Sequence, residues 1–432
     1  MLSLQRSVPA MLPVCAAIAA LSPSAFAQEV EGDGDLEALR RAAEQELAAD
    51  EAPPADEGEA LRRSAALETE DETPIYQQLQ QAFSAVANRL NSFNPRITVI
   101  GDALARLSLG SAELVENPGT PDEVRVDDRM SLREVELDFR ADVDAYAKAV
   151  FILALEEEGG EYLATVEEGY VTLETLPFGL RAQLGRFRTP FGRMNRLHGH
   201  DLPQATEPLA LTDIFGEEGY LDNGALLSWL APVPLELTVG FLQGDNQPVL
   251  GTSDLDSPAW LGRAEYFLQI SDTIFLSAGA SYLYGLNDTP DPADQESHVY
   301  GADLLFKWQP NQFRSIVVQG EVYGIKQETP ITGDPMWGFG GYAYLQVQPF
   351  QRWYLGVRYD WSNFDEHRED REQYAVSGWL SYYTTEFLRF RVGYEHRERE
   401  STAGGDPDLD TFFFQLTFVF GSHPVEPFWF NR

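Results

Sequence analysis

The stretch at residues 132–155, LREVELDFRADVDAYAKAVFILAL, constrains the fold more than any other part of the chain. Apolar and charged residues alternate in its first half, so that Val135 and Leu137 share one parity while Glu134 and Glu136 fall on the other. A period of two is the side-chain period of a β-strand and not of a helix. A second run of the same period follows a short Asp-Val-Asp turn. The pattern predicts two neighbouring strands, the first of which has one apolar face and one charged face.

Runs of this kind continue to the end of the chain. They lie at approximately 97–106, 131–141, 144–155, 165–176, 180–188, 222–231, 234–244, 259–270, 273–286, 298–309, 313–326, 337–348, 352–363, 372–384, 387–399 and 411–420. Short gaps between the runs alternate with long gaps that are rich in Asp, Glu, Gly and Pro. An even number of strands with short turns at one end and long loops at the other predicts an all-β fold, a 16-stranded antiparallel transmembrane β-barrel. Two soluble β-sandwiches in series, the alternative, would not alternate their connections so regularly.

The tryptophans support the barrel independently. Most fall at the ends of predicted strands: Trp260, Trp337 and Trp361 at the long-loop ends, and Trp229, Trp308 and Trp353 at the short-turn ends. Two such belts are typical of a barrel that crosses both membrane interfaces, whereas Trp379 lies in the middle of a strand. Strands can span hydrocarbon only in a closed barrel, because every backbone amide there needs a partner within the protein. We therefore expect the apolar parity to face lipid and the charged parity to face a water-filled lumen.

The N-terminal residues predict export. A single charge, Arg6, precedes an apolar stretch, and Ala25-Phe26-Ala27 is typical of a cleavage site, so we expect 1–27 to be a signal peptide cleaved after Ala27. The chain's one cysteine lies within this segment, so the mature chain would contain no thiolate metal site. Export together with a barrel predicts the outer membrane of a Gram-negative bacterium. The formal net charge of −38 argues against a nucleic-acid partner.

The segments that flank the barrel have distinct compositions. Residues 28–74 are acidic and contain a Pro-Pro pair, which predicts a disordered or partly helical arm. Residues 75–93 carry apolar side chains at helical spacing and predict an amphipathic periplasmic helix. The barrel itself is expected at 94–420, and 421–432 would form a C-terminal periplasmic tail.

Four segments resemble a known family. They are NPRITVIGDAL (94–104), the stretch 132–155, LRAQLGRFRTPFGRMNRLHGHDLP (180–203) and GSHPVEPF (421–428). In these segments the chain resembles the porin-like superfamily that includes the phosphate-selective porins, and within it the branch labelled zinc-regulated (TonB-dependent) outer-membrane receptors. The resemblance implies a channel and a homotrimer. A TonB-dependent receptor proper would need about 22 strands around a folded plug, for which this chain is too short.

The resemblance also implies that the third long loop, residues 189–221, folds into the barrel and narrows it. This loop carries Arg193, Arg196, Asp213, Glu217 and Glu218, while the lumen parity of the late strands carries Arg358, Arg389, Arg391 and Arg397. Acidic loop residues opposite an arginine wall would produce a transverse field that selects solutes. Alternatively, the arginines pair with neighbouring acids and only neutralise lumen charge. The sequence leaves both interpretations open.

A pair of loop histidines suggests a metal site. His198 and His200 could share an ion, zinc being the one that the resemblance suggests, but the sequence identifies no third ligand. A hydrogen-bonded histidine pair is the simpler interpretation. Otherwise we expect no cofactor and no enzyme, because the sequence contains no G-x-S-x-G or H-E-x-x-H motif.

These patterns predict an outer-membrane porin for passive diffusion of small hydrophilic solutes or ions. Two alternatives remain open. One is a substrate-binding receptor linked to metal uptake, and the other is a structural barrel that tethers envelope layers through the acidic arm.

Overall fold

The computed structural model describes residues 95–422, apart from 111–114, 117–123, 126–127, 159–160, 247–248, 252–254, 288–294, 329–334, 365–371 and 400–407. The predicted signal peptide, the acidic arm, the helix at 75–93 and nearly all of the predicted tail therefore lie outside the described residues. Among the residues described, no helix has the length and apolar character needed to cross a membrane.

Strands dominate the described residues. In chain order they are β1 (Arg96–Gly110), β2 (Val115–Glu116), β3 (Val124–Arg125), β4 (Met130–Asp142), β5 (Ala147–Glu158), β6 (Glu161–Leu173), β7 (Leu180–Arg188), β8 (Leu221–Leu230), β9 (Leu235–Leu242), β10 (Asp245–Asn246), β11 (Leu250–Gly251), β12 (Ala259–Ser271), β13 (Ile274–Asn287), β14 (Gln295–Asn311), β15 (Arg314–Gln327), β16 (Met336–Phe350), β17 (Trp353–Ser362), β18 (Gln373–Thr385), β19 (Leu388–Arg399) and β20 (Asp408–Gly421). The short pairs β2–β3 and β10–β11 are hairpins within loops.

The other sixteen strands form a closed antiparallel barrel, which confirms the predicted fold. Strand β1 pairs with β4 on one side and with β20 on the other, so the sheet has no free edge. Its pairing with β20 begins at Thr98 opposite Gly421 and continues to Gly110 opposite Leu409. Short turns and long loops alternate between consecutive barrel strands. The start of β1 and the end of β20 therefore both lie at the short-turn end of the barrel.

The predicted faces are confirmed along the strands. On β17, Val357 and Tyr359 are exposed on the outer surface, whereas Arg358 and Asp360 are buried inside. The exception among the tryptophans also has an explanation, since Trp379 is only 5% exposed and packs inside the barrel next to Tyr344. Trp379 can therefore face inward from the middle of its strand, because the interior is packed at that level.

The interior is packed because the third long loop, residues 189–220, folds into it. The loop contains two 3-10 turns, Met194–Arg196 and Gly199–Asp201, and one α-helix, α1 (Leu209–Phe215). Its apolar side chains join lumen-facing residues of the wall in one buried cluster. Loop members include Phe191, Met194, Leu202, Leu211, Ile214 and Phe215, and wall members include Leu261, Leu283, Val299, Tyr323, Tyr342 and Tyr344. The expectation of a lumen filled by water alone is therefore wrong for this level of the barrel.

The lipid-facing surface leads to a stability prediction. Val357 lies in the middle of β17 and is 54% exposed on the outer surface. We expect Val357→Arg to lower the free energy of unfolding by about 2–4 kcal/mol, because the charge would face hydrocarbon at mid-depth. Urea titration of the protein folded in lipid vesicles measures this.

The control is Val233→Arg, at an exposed residue of the short turn after β8. There the same change should cost only about 0–1 kcal/mol, because arginine near an interface reaches water. An equal loss at both positions would contradict the assignment of the outer face to lipid.

Candidate functional site at the constriction of the barrel

The beginning of the third loop is bound to the wall formed by β12 to β15. The Arg193 guanidinium forms an ion pair with Glu265 and lies 3.0 Å, Nε to Oδ1, from Asp303. The backbone N–H groups of Arg193 and Met194 donate to the Glu321 carboxylate at 2.9 and 2.7 Å. These charge-assisted contacts hold the chain against the wall. Arg193, predicted to line the pore, is buried and binds the loop in place.

The middle of the loop is held by the arginines of β19. The Arg389 guanidinium donates to the backbone carbonyl of His200, and that of Arg391 donates to the carbonyl of Leu202, each at 2.7 Å. Both arginines are nearly inaccessible, at 5% and 1% exposure. A buried guanidinium must have its donors satisfied, and the loop carbonyls satisfy part of this requirement. These two side chains therefore bind the loop and do not face an open channel.

Arg358 on β17 is paired with neighbouring acids, as in the second interpretation that the sequence left open. Its guanidinium lies 2.6 Å from the Asp360 carboxylate and 3.3 Å from that of Glu395, which neutralises its charge. It also donates to the backbone carbonyl of Thr206 on the loop at 2.7 Å. Arg358 is thus both paired within the wall and bound to the loop.

The acidic residue on α1 points to the late strands. Asp213 accepts hydrogen bonds from the Ser362 hydroxyl, at 2.5 Å, and from the Gln373 side chain. The side-chain carbonyl oxygen of Gln373 accepts a hydrogen bond from the Arg397 guanidinium at 2.6 Å. Gln373 therefore bridges Asp213 and Arg397. Arg397 in turn lines the cavity on the long-loop side of the docked loop.

Two chambers of about 380 Å³ each remain on either side of the docked loop. The outer chamber opens toward the long-loop end, and Glu217 and Glu218 are part of its lining. The inner chamber lies toward the short turns, and its lining includes Arg181 and Arg196. Arg188 lines both chambers. Arg188 therefore lies where the docked loop separates the two chambers, and we call this level the constriction.

The two predicted metal ligands lie at this constriction, opposite acidic residues of β4 and β6. We call the group the histidine–glutamate cluster; it comprises His198, His200, Glu134, Glu136, Glu167 and Glu168. Nδ1 of His198 lies 3.3 Å from Oε2 of Glu136 and 3.1 Å from Oε1 of Glu167. Nδ1 of His200 lies 3.4 Å from the same Oε2 of Glu136. The two imidazoles stack with their centroids 5.6 Å apart.

The glutamates of this cluster explain the charged parity of residues 132–155. Glu134 and Glu136 alternate along β4 and so both face the interior. On β6 two consecutive residues, Glu167 and Glu168, are both buried, which a regular strand does not allow. The register against β5 shifts there, because Ile152 pairs with Glu168 and Leu153 pairs with Val166. This β-bulge turns both carboxylates inward.

Sequence reasoning found the histidines but missed the glutamates as their partners. Parity alone could have placed Glu134 and Glu136 in the lumen, yet nothing in the sequence indicates which wall the loop contacts. Arg188 was missed too; its guanidinium forms an ion pair with Glu167 and donates to the Glu218 carbonyl at 2.7 Å. Arg188 is the last residue of β7, so its side chain lies where the strand ends and the third loop begins.

The carboxylates change the acidity of both imidazoles. Burial by itself would lower the pKa of His200, but the negative charges of Glu136 and Asp201 outweigh it and raise the pKa to about 9. Burial opposes protonation of His198 as well, and Glu136 and Glu167 raise its pKa well above the usual range. The cluster thus carries an excess of negative charge that draws cations, whether protons or other ions.

The docking of the loop depends on Gly192, which leads to a test. Gly192 has a φ of +70°, and a Cβ on it would overlap the Glu321 carboxylate. We expect Gly192→Ala to weaken docking, because the left-handed backbone alone costs about 1–2 kcal/mol for other residues. Trypsin should then cut the folded protein after Arg193 or Arg196 faster than it cuts the wild type.

Gly199→Ala is the matched control, since a Cβ there would meet its nearest neighbour, Nη2 of Arg133, at an ordinary 3.5 Å. It should be cut at the wild-type rate. Equal protection of Gly192→Ala and the wild type would mean that the contacts at Glu321 do not hold the loop.

Solved structures of porins share this fold. The anion-selective porin from Comamonas acidovorans matches 76% of this chain and 99% of its own, with a TM-score of 0.52 and 12% identity. OprB from Pseudomonas putida matches 78% of this chain and 97% of its own, with a TM-score of 0.52 and 9% identity. The trimer form of OmpT from Vibrio cholerae matches 76% of this chain and all of its own, with a TM-score of 0.50 and 10% identity. At these identities the likeness shows the porin fold.

Sequence comparison identifies a relative. No protein-family model matches the chain, and its place in the phosphate-selective superfamily or the zinc-regulated branch stays a prediction. An uncharacterized protein from Aquifex aeolicus is 31% identical over 334 residues, which cover 69% of this chain and 70% of the relative. An identity of this level over most of both chains shows common descent, so this chain belongs to the same family as the Aquifex aeolicus protein.

Proposed function

We propose that the protein is an outer-membrane porin through which small hydrophilic solutes or ions diffuse passively, without catalysis. The observation that supports this most is that chambers lined by charged side chains lie on either side of the docked third loop in the barrel lumen. A closed barrel with an apolar outer face suits a lipid bilayer. Chambers above and below a narrow level suit a solute path with one selective step.

The lining of the chambers argues for polar solutes. Both chambers carry charged side chains of both signs. Glu217 and Arg397 are among those of the outer chamber, and Glu236 and Arg181 are among those of the inner chamber. A hydrated ion or a small polar molecule would keep hydrogen bonds along such a path. Because both signs occur in each chamber, we propose no ion preference.

The partners of such a porin are outer-membrane lipid and the solutes themselves. We propose a homotrimer, by analogy with the solved trimer form of OmpT. A substrate-binding receptor linked to metal uptake is the second candidate, because the histidine–glutamate cluster lies at the boundary between the two chambers.

Single-channel recording in a planar bilayer tests the proposal on the refolded protein. A trimeric porin should give conductance steps in groups of three, and a KCl gradient should give a reversal potential with a defined sign. No steps from a protein shown to be folded would contradict the porin and would favour the receptor or a structural barrel that tethers the envelope.

Shortening Arg188 should widen the path. Its guanidinium lines both chambers, so Arg188→Ser would remove a long side chain at the boundary between them. We expect a larger single-channel conductance than in the wild type, measured under the same salt and voltage. Arg314→Ser is the control, because it removes the same charge at an exposed position on β15 near the short turns.

An unchanged conductance in Arg188→Ser would place the limiting step elsewhere in the barrel. A similar increase in Arg314→Ser would show that the charge, and not the width at Arg188, is what matters.

A further inference from the structure

The histidine–glutamate cluster contains two overlapping sets of metal-ligating atoms. Ligand atoms of Glu134, Glu136 and His200 all lie within 4.8 Å of one another, and so do those of Glu136, Glu167 and His198. Glu136 belongs to both sets. Each set therefore offers one imidazole nitrogen and two carboxylate oxygens, and the two sets adjoin at Glu136.

The facing atoms contact one another but do not form hydrogen bonds. Nδ1 of His198, Nδ1 of His200 and Oε2 of Glu136 are buried, and within the described part of the chain none makes a hydrogen bond. The three residues are 8%, 5% and 1% exposed. Buried polar atoms without hydrogen bonds are rare in native proteins, and an ion is one of the usual reasons.

The spacing of these atoms fits an ion between them. Ligands about 2.0–2.1 Å from a tetrahedral metal lie about 3.3 Å from each other. The contacts of Nδ1 of His198 with Glu136 and Glu167 measure 3.3 and 3.1 Å, and that of Nδ1 of His200 with Glu136 measures 3.4 Å. These distances are the ones that two ligands of one metal ion would show, so the spacing is compatible with a shared ion.

We propose that the histidine–glutamate cluster binds a divalent first-row transition-metal ion, with Glu136 as the ligand common to both sets. Imidazole together with carboxylate suits Zn²⁺, Co²⁺ and similar ions, whereas Mg²⁺ and Ca²⁺ prefer sets made of oxygen alone. Imidazoles that bind a metal are neutral. The four buried carboxylates then face the guanidinium of Arg188, while the nearby Arg133 guanidinium is paired with Asp102. A divalent ion offsets the excess negative charge.

The proposal concerns binding and goes beyond the porin function without depending on it. The location nevertheless gives it a consequence. Glu134 and Glu167 line the outer chamber, while His198 and Glu168 line the inner chamber, so a bound ion would lie between the two. Two adjoining ligand sets would let the ion pass from one chamber toward the other in steps, since multi-site binding is what lets bound ions leave.

The test is titration of the refolded full-length protein with Zn²⁺ by calorimetry, and with Co²⁺ by visible absorption, in a large excess of Mg²⁺. The excess of Mg²⁺ occupies the many generic carboxylates of this acidic chain. We expect Zn²⁺ to bind and Co²⁺ to give the intense bands of a low-coordination site with nitrogen ligands. No Zn²⁺ binding to the folded wild type, or binding that Mg²⁺ abolishes, would overturn the proposal.

Glu136→Gln keeps the shape of the shared ligand and removes its charge. It should weaken Zn²⁺ binding by at least about 10–100-fold, the loss that even outer-sphere partners of metals produce. His298→Asn is the matched control, since His298 lies 3.3 Å from Glu296 but its Nδ1 is bonded to the Tyr282 hydroxyl. It should bind Zn²⁺ as the wild type does.

A second variant covers the case in which Glu136→Gln does not fold. His198→Asn with His200→Asn removes both imidazoles and should abolish the Co²⁺ bands, with folding checked by the heat-dependent mobility of the barrel on gels. Wild-type affinity in either folded variant would overturn the assignment of the site. A metal-binding protein without conductance would contradict the porin alone, and a conducting protein without metal binding would contradict this inference alone.

Discussion

The structure depends on closure of the backbone hydrogen-bond ladder. Each of the sixteen barrel strands pairs with two neighbours, and the pairing of β1 with β20 completes the circle. In a hydrocarbon environment an open edge would leave a row of amides without partners, at a cost of several kcal/mol for each group. Closure therefore produces an enclosed lumen, and the rest of the molecule is arranged around that lumen.

The lumen has the opposite requirement, because its charged side chains need partners or water. Some partners are other residues of the wall, and others come from the third long loop. It offers backbone carbonyls to Arg358, Arg389 and Arg391 on one wall, and backbone N–H groups to Glu321 on another. Its apolar residues cover wall side chains that would otherwise face water. The loop is thus held by contacts around much of the barrel's circumference, which makes the constriction a built feature.

One side of the constriction differs from the others in its chemistry. On the arginine side, guanidinium groups meet carbonyls and carboxylates in ordinary hydrogen bonds. On the side of β4 and β6, Nδ1 of His198 and Nδ1 of His200 lie 3.3 and 3.4 Å from the Glu136 carboxylate without forming hydrogen bonds. On one side, therefore, the loop is attached to the wall, and on the other it contributes to a cluster suited to bind a cation. The bulge on β6 adds to this cluster by turning Glu167 inward.

The sequence by itself determined the barrel and its faces, because side-chain alternation and loop length are local properties that each strand expresses independently. It also indicated the loop, the arginines and the two histidines as residues of interest. Only the tertiary structure decided which wall each of them meets: Glu136 and His200 are far apart in the chain, and no local pattern couples them. The bulge on β6 was equally hidden, since it arises from pairing with β5 and lets the consecutive residues Glu167 and Glu168 both face inward. Contacts between a loop and a distant wall depend on how the closed barrel encloses the loop, and that is a property of the whole fold.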